Sequence, residues 1–153
     1  MDTPLNLPSF EKSIKLLGGQ RKIFDRIRKK YVVLTPEEWV RQHFINFLIE
    51  HSGYPIGLMA VEQKVIINGM PQRVDIVTYN RNGKPLLVVE CKAPEVELTQ
   101  DTFRQAARYN LTLKANYLII TNGKKHFCSW VDTKNMEFRL LNEIPNYKEI
   151  AED

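Results

Sequence analysis

The chain is poor in cysteine and has no long apolar run, and these shortages exclude several classes of protein. Its two cysteines, Cys91 and Cys128, are isolated and form neither a disulfide framework nor a zinc site. No apolar stretch approaches the roughly 20 residues that cross a bilayer. The N-terminus also lacks the basic and apolar regions of a secretory signal. We therefore expect a soluble protein of the reducing cytoplasm with no membrane partner.

The sequence also lacks the GxxxxGK[ST] loop that binds nucleotide phosphates, so it encodes no ATP-driven motor. Its 153 residues suit a single core, and 43% apolar with 26% charged residues is an ordinary globular composition. The net charge of +4 is unevenly distributed, because residues 1–34 carry eight Lys/Arg against three Asp/Glu. We divide the chain into a basic N-terminal segment, 1–34, and a domain, 35–153. The basic segment is either a solvated surface or a phosphate-contacting arm. Its excess lies in Arg21, Lys22, Arg26, Arg28, Lys29 and Lys30.

The pattern of apolar residues predicts an α/β fold. In the first segment we expect a short helix over 9–17, broken at Gly18-Gly19. From Thr35 the predicted order is helix, three strands, helix, two strands, in a central mixed sheet of about five strands flanked by helices. The predicted helices span 35–50 and 99–113, and the strands span 58–67, 72–80, 85–92, 117–121 and 125–131. The tail from residue 132 is either irregular or a last edge strand.

Three charged residues lie where a buried strand should be apolar. Glu90 and Lys92 end the run Leu-Leu-Val-Val, and two-residue spacing points both side chains to one face. Asn82-Gly83 predicts a two-residue hairpin turn, and extending that pairing places Asp75 directly opposite Glu90. Cβ atoms of such opposed residues are about 4.5–5.5 Å apart. Two carboxylates so close repel unless a cation lies between them, and Mg²⁺ suits such a pair. The alternative is a structural salt-bridge cluster.

The first helix offers one more carboxylate. With about 100° of rotation per residue, its apolar positions lie on the side of Glu37. We therefore choose Glu37 as an additional metal or water ligand. Glu38 is the fallback, because Thr35 at the N-cap and Glu38 three residues later predict a capping box.

Several segments, in order, resemble the N-terminal nuclease domain of type I restriction enzyme R subunits, of the PD-(D/E)xK superfamily. They are Arg73-Val-Asp75-Ile-Val, Leu87-Val-Val-Glu90-Cys-Lys92-Ala-Pro, Gln105-Ala-Ala-Arg-Tyr109-Asn and Ile120-Thr-Asn-Gly123, with Thr35–Gln42 and Gly53–Pro55 also fitting. The resemblance implies a restriction-endonuclease-like core in which Asp75 and Glu90 bind Mg²⁺, with Mn²⁺ able to substitute. It also implies that Lys92 assists hydrolysis, and that Gln105 and Tyr109 support cleavage or DNA contact. Spacing alone shows only that the last two share a helix face.

We therefore expect a Mg²⁺-dependent nuclease that acts on DNA, and specifically an endonuclease. The translocase of R subunits is not encoded here, so the chain acts alone or beside a separate motor or specificity subunit, and a homodimer stays open. The rival hypothesis is a non-catalytic module that keeps the nuclease fold to bind DNA or a protein. RNA as substrate also stays open, although no aromatic-rich strand for stacking single-stranded bases is evident.

Overall fold

A computed structural model, which describes residues 2–153, contains two β-sheets and three helices. No helix among these residues has the length and apolarity needed to cross a membrane. The elements in chain order are β1 (Ile14–Leu17), β2 (Gln20–Asp25), β3 (Lys30–Val33), α1 (Pro36–Ser52), a 3-10 turn (Ile56–Leu58), β4 (Met59–Ile67), β5 (Met70–Tyr79), β6 (Pro85–Cys91), α2 (Gln100–Leu113), β7 (Tyr117–Thr121), β8 (His126–Asp132), β9 (Glu137–Leu141) and α3 (Tyr147–Ile150).

The main sheet has six strands in the order β4-β5-β6-β7-β8-β9. All neighbours are antiparallel except β6 and β7, which are parallel and joined by the crossover helix α2. The predicted α/β class and mixed sheet are confirmed, with six strands instead of about five. The additional strand is β9, so the tail from residue 132 takes the edge-strand alternative. Helix α1 begins as predicted, because the Thr35 hydroxyl accepts the Glu38 backbone N–H at 3.0 Å.

Both faces of the sheet are covered, and β6 runs through the middle of it. Leu87 and Val89 pack in the cluster that contains Phe44 of α1, whereas Val88 packs in the cluster that contains Ala106 of α2. Alternation along a strand explains the two directions. A strand buried on both faces is apolar throughout, as β6 is up to Val89. Charged residues at its end are therefore the exception that needs a cause.

The hairpin between β5 and β6 has the predicted register at its far end but not the predicted turn. Ile76 pairs with Val89 and Thr78 with Leu87. Nearer the turn a bulge between Thr78 and Tyr79 shifts the pairing by one residue, so Arg81 and Lys84 do not pair. The Asn80 side chain is the reason: its Oδ1 accepts backbone N–H groups of Asn82 and Lys84, each at 2.9 Å, which stabilises a longer loop. The bulge compensates for that loop.

The N-terminal helix predicted over 9–17 is wrong. Residues 14–33 form a three-stranded antiparallel sheet, with Leu17 paired to Gln20 across a two-residue turn. Gly18 and Gly19 have φ of 59° and 79°. Positive φ at both turn positions is the geometry of a tight hairpin, so this glycine pair reverses the chain instead of ending a helix. The small sheet packs against α1 through a cluster of Ile23, Leu34 and Trp39.

Candidate active site

Two carboxylates, Asp75 and Glu90, lie side by side inside the protein. The β5–β6 register that pairs Ile76 with Val89 makes Asp75 and Glu90 the next pair. Asp75 is 5% exposed and Glu90 is 6% exposed. The two oxygens of Asp75 are both used, since Oδ1 accepts from Arg41 at 2.7 Å and Oδ2 accepts the Cys91 backbone N–H at 2.7 Å. Asp75 is therefore held rigidly from two sides.

Glu90 is in the opposite situation, because its Oε2 is buried without a hydrogen-bond partner among residues 2–153. Burial raises the pKa of Glu90 far above its usual range, and the hydrogen bond and charge of Asp75 raise that pKa further. A buried carboxyl oxygen that accepts no hydrogen bond destabilises a folded protein. A cation bound to that oxygen would remove the destabilisation.

Lys92 follows Glu90 by two residues and contacts helix α2. Its Nζ donates to Gln105 Oε1 at 3.2 Å, which links the end of β6 to that helix. Both residues line an open cleft of about 820 Å³, whose lining does not include Asp75, Glu90 or Tyr109. Burial raises the pKa of Tyr109, and the charges of Glu90 and Asp75 act in the same direction. Lys92 and Gln105 therefore meet at one cleft, while the carboxylate pair is buried.

The two glutamates at the start of α1 differ in burial from what the sequence predicts. Glu37 is only partly buried and lines the cleft next to Lys92. Its pKa is raised by burial and by the charge of Asp75. Glu38 is the buried one, at 6% exposure. The expected burial of Glu37 was wrong. The helix is oriented so that Glu38 points to the interior, where it forms ion pairs.

The predicted capping box is also incomplete. Thr35 caps the helix, but the Glu38 carboxylate does not return the bond. Instead Glu38 Oε1 accepts from Arg28 at 2.8 Å and from Arg41 at 2.9 Å, and Oε2 accepts from Gln42 at 3.0 Å. Two charged donors outweigh one backbone N–H as partners for a buried carboxylate.

Sequence reasoning missed Arg41 and Glu62. Arg41, 5% exposed, forms ion pairs with Glu38, Asp75 and Glu62, the last at 2.9 Å. A usable signal existed for Arg41, since it follows Glu38 by three residues and adjoins the buried Val40. Nothing in the sequence distinguishes Glu62 from an ordinary exposed strand residue.

The donor set fits a divalent cation that prefers oxygen ligands. No group of three His, Cys, Asp or Glu side chains is gathered for a metal within residues 2–153. Mg²⁺, however, needs only one or two protein carboxylates, with waters and phosphate oxygens completing its shell. Asp75 and Glu90 supply that pair, and the unpartnered Glu90 Oε2 is available to a cation. Glu37 borders the adjoining cleft.

Comparisons with known proteins agree on one family. Residues 36–145 match the family model described as type I restriction enzyme R protein N terminus. A solved fragment described as an HsdR subunit of a type I restriction enzyme, from Vibrio vulnificus YJ016, is similar in fold, with a TM-score of 0.55 and 22% identity. The match covers 76% of this chain and 24% of that one, so the chain spans about a quarter of its solved relative. No curated protein matches the chain. The chain belongs to the family of type I restriction enzyme R protein N-terminal domains.

Proposed function

We propose that this chain is a metal-dependent nuclease that hydrolyses DNA phosphodiester bonds, built on a restriction-endonuclease-like core of the PD-(D/E)xK type. One observation carries the proposal: a buried pair of opposed carboxylates, Asp75 and Glu90, has an unpartnered oxygen within residues 2–153, and Glu90 precedes the cleft-lining Lys92 by two residues. Membership of the R-protein N-terminal family supports a role in restriction. Endonucleolytic cleavage is part of the proposal.

Asp75 and Glu90 would hold Mg²⁺, or Mn²⁺ in its place, with Glu37 at the edge of the site. When bound, the ion supplies an activated water and stabilises charge on the attacked phosphate. Glu90 must release its proton first. The Lys92 ammonium keeps donors available for a phosphate oxygen after its bond to Gln105. Gln105 restrains Lys92, and Tyr109 follows Gln105 by four residues on the same face of α2.

The cleft has a mixed charge that suits a phosphate backbone near an acidic centre. Lys92, Arg104 and Arg108 line it, together with the acidic Glu37 and Asp101. Basic side chains that reach phosphates give affinity without reading sequence. The cleft has a volume of about 820 Å³ and is open to solvent. DNA is therefore the proposed substrate of this cleft.

The basic N-terminal segment contributes less to DNA binding than its composition predicts. Arg28 is committed to buried ion pairs with Asp25 and Glu38. Arg21 and Arg26 pair with Asp2 and Glu50 at the surface. Exposed pairs of that kind are weak and yield readily to a phosphate. Within this segment, the half-buried Lys22 and the exposed Lys29 and Lys30 form no ion pair with residues 2–153, so their charges are available to phosphates.

A separate motor or specificity subunit would act beside this chain. The solved relative is described as a subunit of a type I restriction enzyme, and it is much longer than this chain. A partner that delivers DNA would raise the rate of cutting. Association of two copies is compatible with this arrangement.

The test is nicking of supercoiled plasmid with Mg²⁺ or Mn²⁺, by wild type and Asp75→Asn in parallel. We expect wild type to nick only with metal and Asp75→Asn to lose at least about 100-fold in rate, because one ligand charge is removed. Glu50→Gln, which removes an exposed carboxylate elsewhere, is the control and should retain activity. Nicking that survives in Asp75→Asn would contradict the proposed site. Salt-sensitive DNA binding without any cleavage would favour the binding-module alternative.

A further inference from the structure

Arg41 is a cation already present in the acidic centre. Its guanidinium contacts Glu38 through Nη1 at 2.9 Å, and Glu62 and Asp75 through Nη2 at 2.9 and 2.7 Å. Burial alone would lower the pKa of Arg41, but the charges of Asp75 and Glu38 raise it, so the group stays protonated. Three carboxylates from three different elements thus converge on one buried arginine.

Glu62 reaches Arg41 from an unusual backbone position. The pairs Val61–Ile76 and Gln63–Val74 flank it, so Glu62 lies opposite Asp75 across β4 and β5. Together with the Asp75–Glu90 pair, this makes a row of three carboxylates across adjacent strands. Glu62 has φ of 57°, in the left-handed region that L side chains rarely adopt. A strained residue in mid-strand persists only where its surroundings hold it, and here the ion pair with Arg41 does so.

Arg41 and a divalent cation would act on the same carboxylate. The guanidinium already occupies Asp75 Oδ1, and its positive charge repels any second cation brought to Asp75. Glu62 offsets part of that charge from the other side. The side chain of Glu62 is 29% exposed, against 6% for Arg41. The arginine is therefore the fixed centre of the group and Glu62 its adjustable partner.

We propose that Arg41 is a positioning residue that serves as an internal counter-ion: it stabilises the acidic row before metal arrives, fixes Asp75, and limits how tightly the divalent cation is held. This inference rests on the proposed cation site at Asp75 and Glu90. Glu62 has the opposite effect, because it neutralises Arg41 and so favours the cation. A protein that must bind, use and release a phosphate-bound metal complex benefits from moderate affinity.

The test is Mn²⁺ binding to the metal-free full chain, without DNA, followed by the electron paramagnetic resonance signal of free Mn²⁺. Arg41→Gln should bind Mn²⁺ about tenfold more tightly than wild type, because a like charge is removed. Glu62→Gln should bind Mn²⁺ several-fold more weakly, because the positive charge of Arg41 at Asp75 is then no longer offset by Glu62. Arg26→Gln, which breaks an exposed pair with Glu50 at the same helix α1, is the matched control and should not change binding.

Thermal unfolding supplies a second readout. Arg41→Gln leaves Glu38 and Asp75 without their shared cation, so its metal-free melting temperature should fall. Added Mn²⁺ should then raise that temperature more than it raises the temperature of wild type, because tighter binding stabilises more. A purely structural arginine would lower the melting temperature without tightening Mn²⁺ binding.

The double variant Arg41→Gln/Glu62→Gln separates Glu62 acting through Arg41 from Glu62 acting as a metal ligand. If Glu62 acts through Arg41, the double variant binds Mn²⁺ as tightly as Arg41→Gln alone. Should Arg41→Gln not fold, unchanged Mn²⁺ binding by Glu62→Gln, whose side chain is partly exposed, would overturn the inference.

Unchanged or weaker Mn²⁺ binding by folded Arg41→Gln, with wild type binding normally, would overturn this inference and leave the proposed nuclease intact. Mn²⁺ binding by neither protein would overturn both. Tighter binding by Arg41→Gln in a chain that never cleaves DNA would support the internal counter-ion and contradict the nuclease.

Discussion

At the scale of single residues, Glu90 determines how the site responds to pH. Its carboxyl group is buried beside Asp75, and burial together with that neighbour raises its pKa well above the ordinary value of 4.5. A group whose pKa is raised by folding stabilises the protein fully below its unfolded pKa. That contribution is lost as pH rises towards the folded pKa, since the unfolded chain releases the proton first. The contribution of Glu90 to the free energy of unfolding of the metal-free protein therefore decreases as pH rises towards neutral.

Replacement of this carboxyl group should remove the dependence on pH. Between about pH 5 and pH 8, we expect the free energy of unfolding of the metal-free wild type to fall by up to about 1.4 kcal/mol per pH unit from this group. In Glu90→Gln this component of the slope should vanish. Urea denaturation at several pH values, in the presence of a chelator, measures both slopes.

The control for that experiment is Glu50→Gln, which changes an exposed glutamate of α1 and should leave the slope as in wild type. An identical slope in wild type and Glu90→Gln would mean that Glu90 is ionised in the metal-free protein, and the raised pKa of Glu90 would then be wrong.

Residue types and spacing predicted part of this centre. Asp75, Glu90 and Lys92 were predictable because charged residues interrupt a strand that is otherwise apolar on both faces. Glu62 was not, and the spacing of Arg41 from Glu38 was its only signal, since the roles of both depend on contacts between α1, β4 and β5 that no local pattern records. The burial of Glu38 in place of Glu37 was unpredictable for the same reason. A helical wheel gives the direction of a side chain but not the ion-pair partners that the direction meets.

At the scale of elements, the N-terminal sheet is connected to the acidic centre by alternating charges. Asp25 at the end of β2 is fully buried and accepts from Arg28 Nε at 2.7 Å. Arg28 also contacts Glu38, which contacts Arg41. Arg41 in turn holds Asp75. The sheet formed by residues 14–33 therefore supports the site through α1, which is a different role from that of a flexible basic arm.

Breaking this connection at Arg28 should destabilise the fold. Arg28→Met leaves Asp25 and Glu38 without the cation they share, and removal of one member of a buried ion pair costs about 3–5 kcal/mol. Because the Arg28 side chain is 19% exposed, we expect the lower part of that range. Urea denaturation of the metal-free protein measures the loss.

Arg26→Met is the matched comparison, two residues away, and should cost less than about 1 kcal/mol, because its pair with Glu50 is exposed. Equal losses in the two variants would mean that the buried connection adds nothing to stability.

The β1–β3 sheet was not predicted from the sequence, and its turn shows the physical reason. Gly18-Gly19 ends helices and also forms tight hairpins, and only pairing with a partner strand decides between the two. The pairing of Leu17 with Gln20 selects the hairpin. The later hairpin shows the converse: the turn at Asn80–Lys84 was mispredicted, yet the pairing of Ile76 with Val89 was not, because a bulge restores the register.

At the scale of the whole molecule, the six-stranded sheet brings together residues that lie far apart in the sequence. Antiparallel β5 and β6 align Asp75 with Glu90, and the parallel step from β6 to β7 requires the crossover helix α2. That helix delivers Gln105 to Lys92. Strand periodicity and the order of motifs were sufficient to predict this much from residue 35 onward.

The most direct test of a metal site at Asp75 and Glu90 is anomalous X-ray diffraction from crystals of the wild-type protein grown with Mn²⁺. We predict one strong anomalous peak about 2.0–2.4 Å from a carboxylate oxygen of each residue, with Glu90 Oε2 among the ligands. Manganese bound elsewhere, or no peak between these carboxylates at saturating Mn²⁺, would contradict the metal-dependent nuclease proposed for this chain.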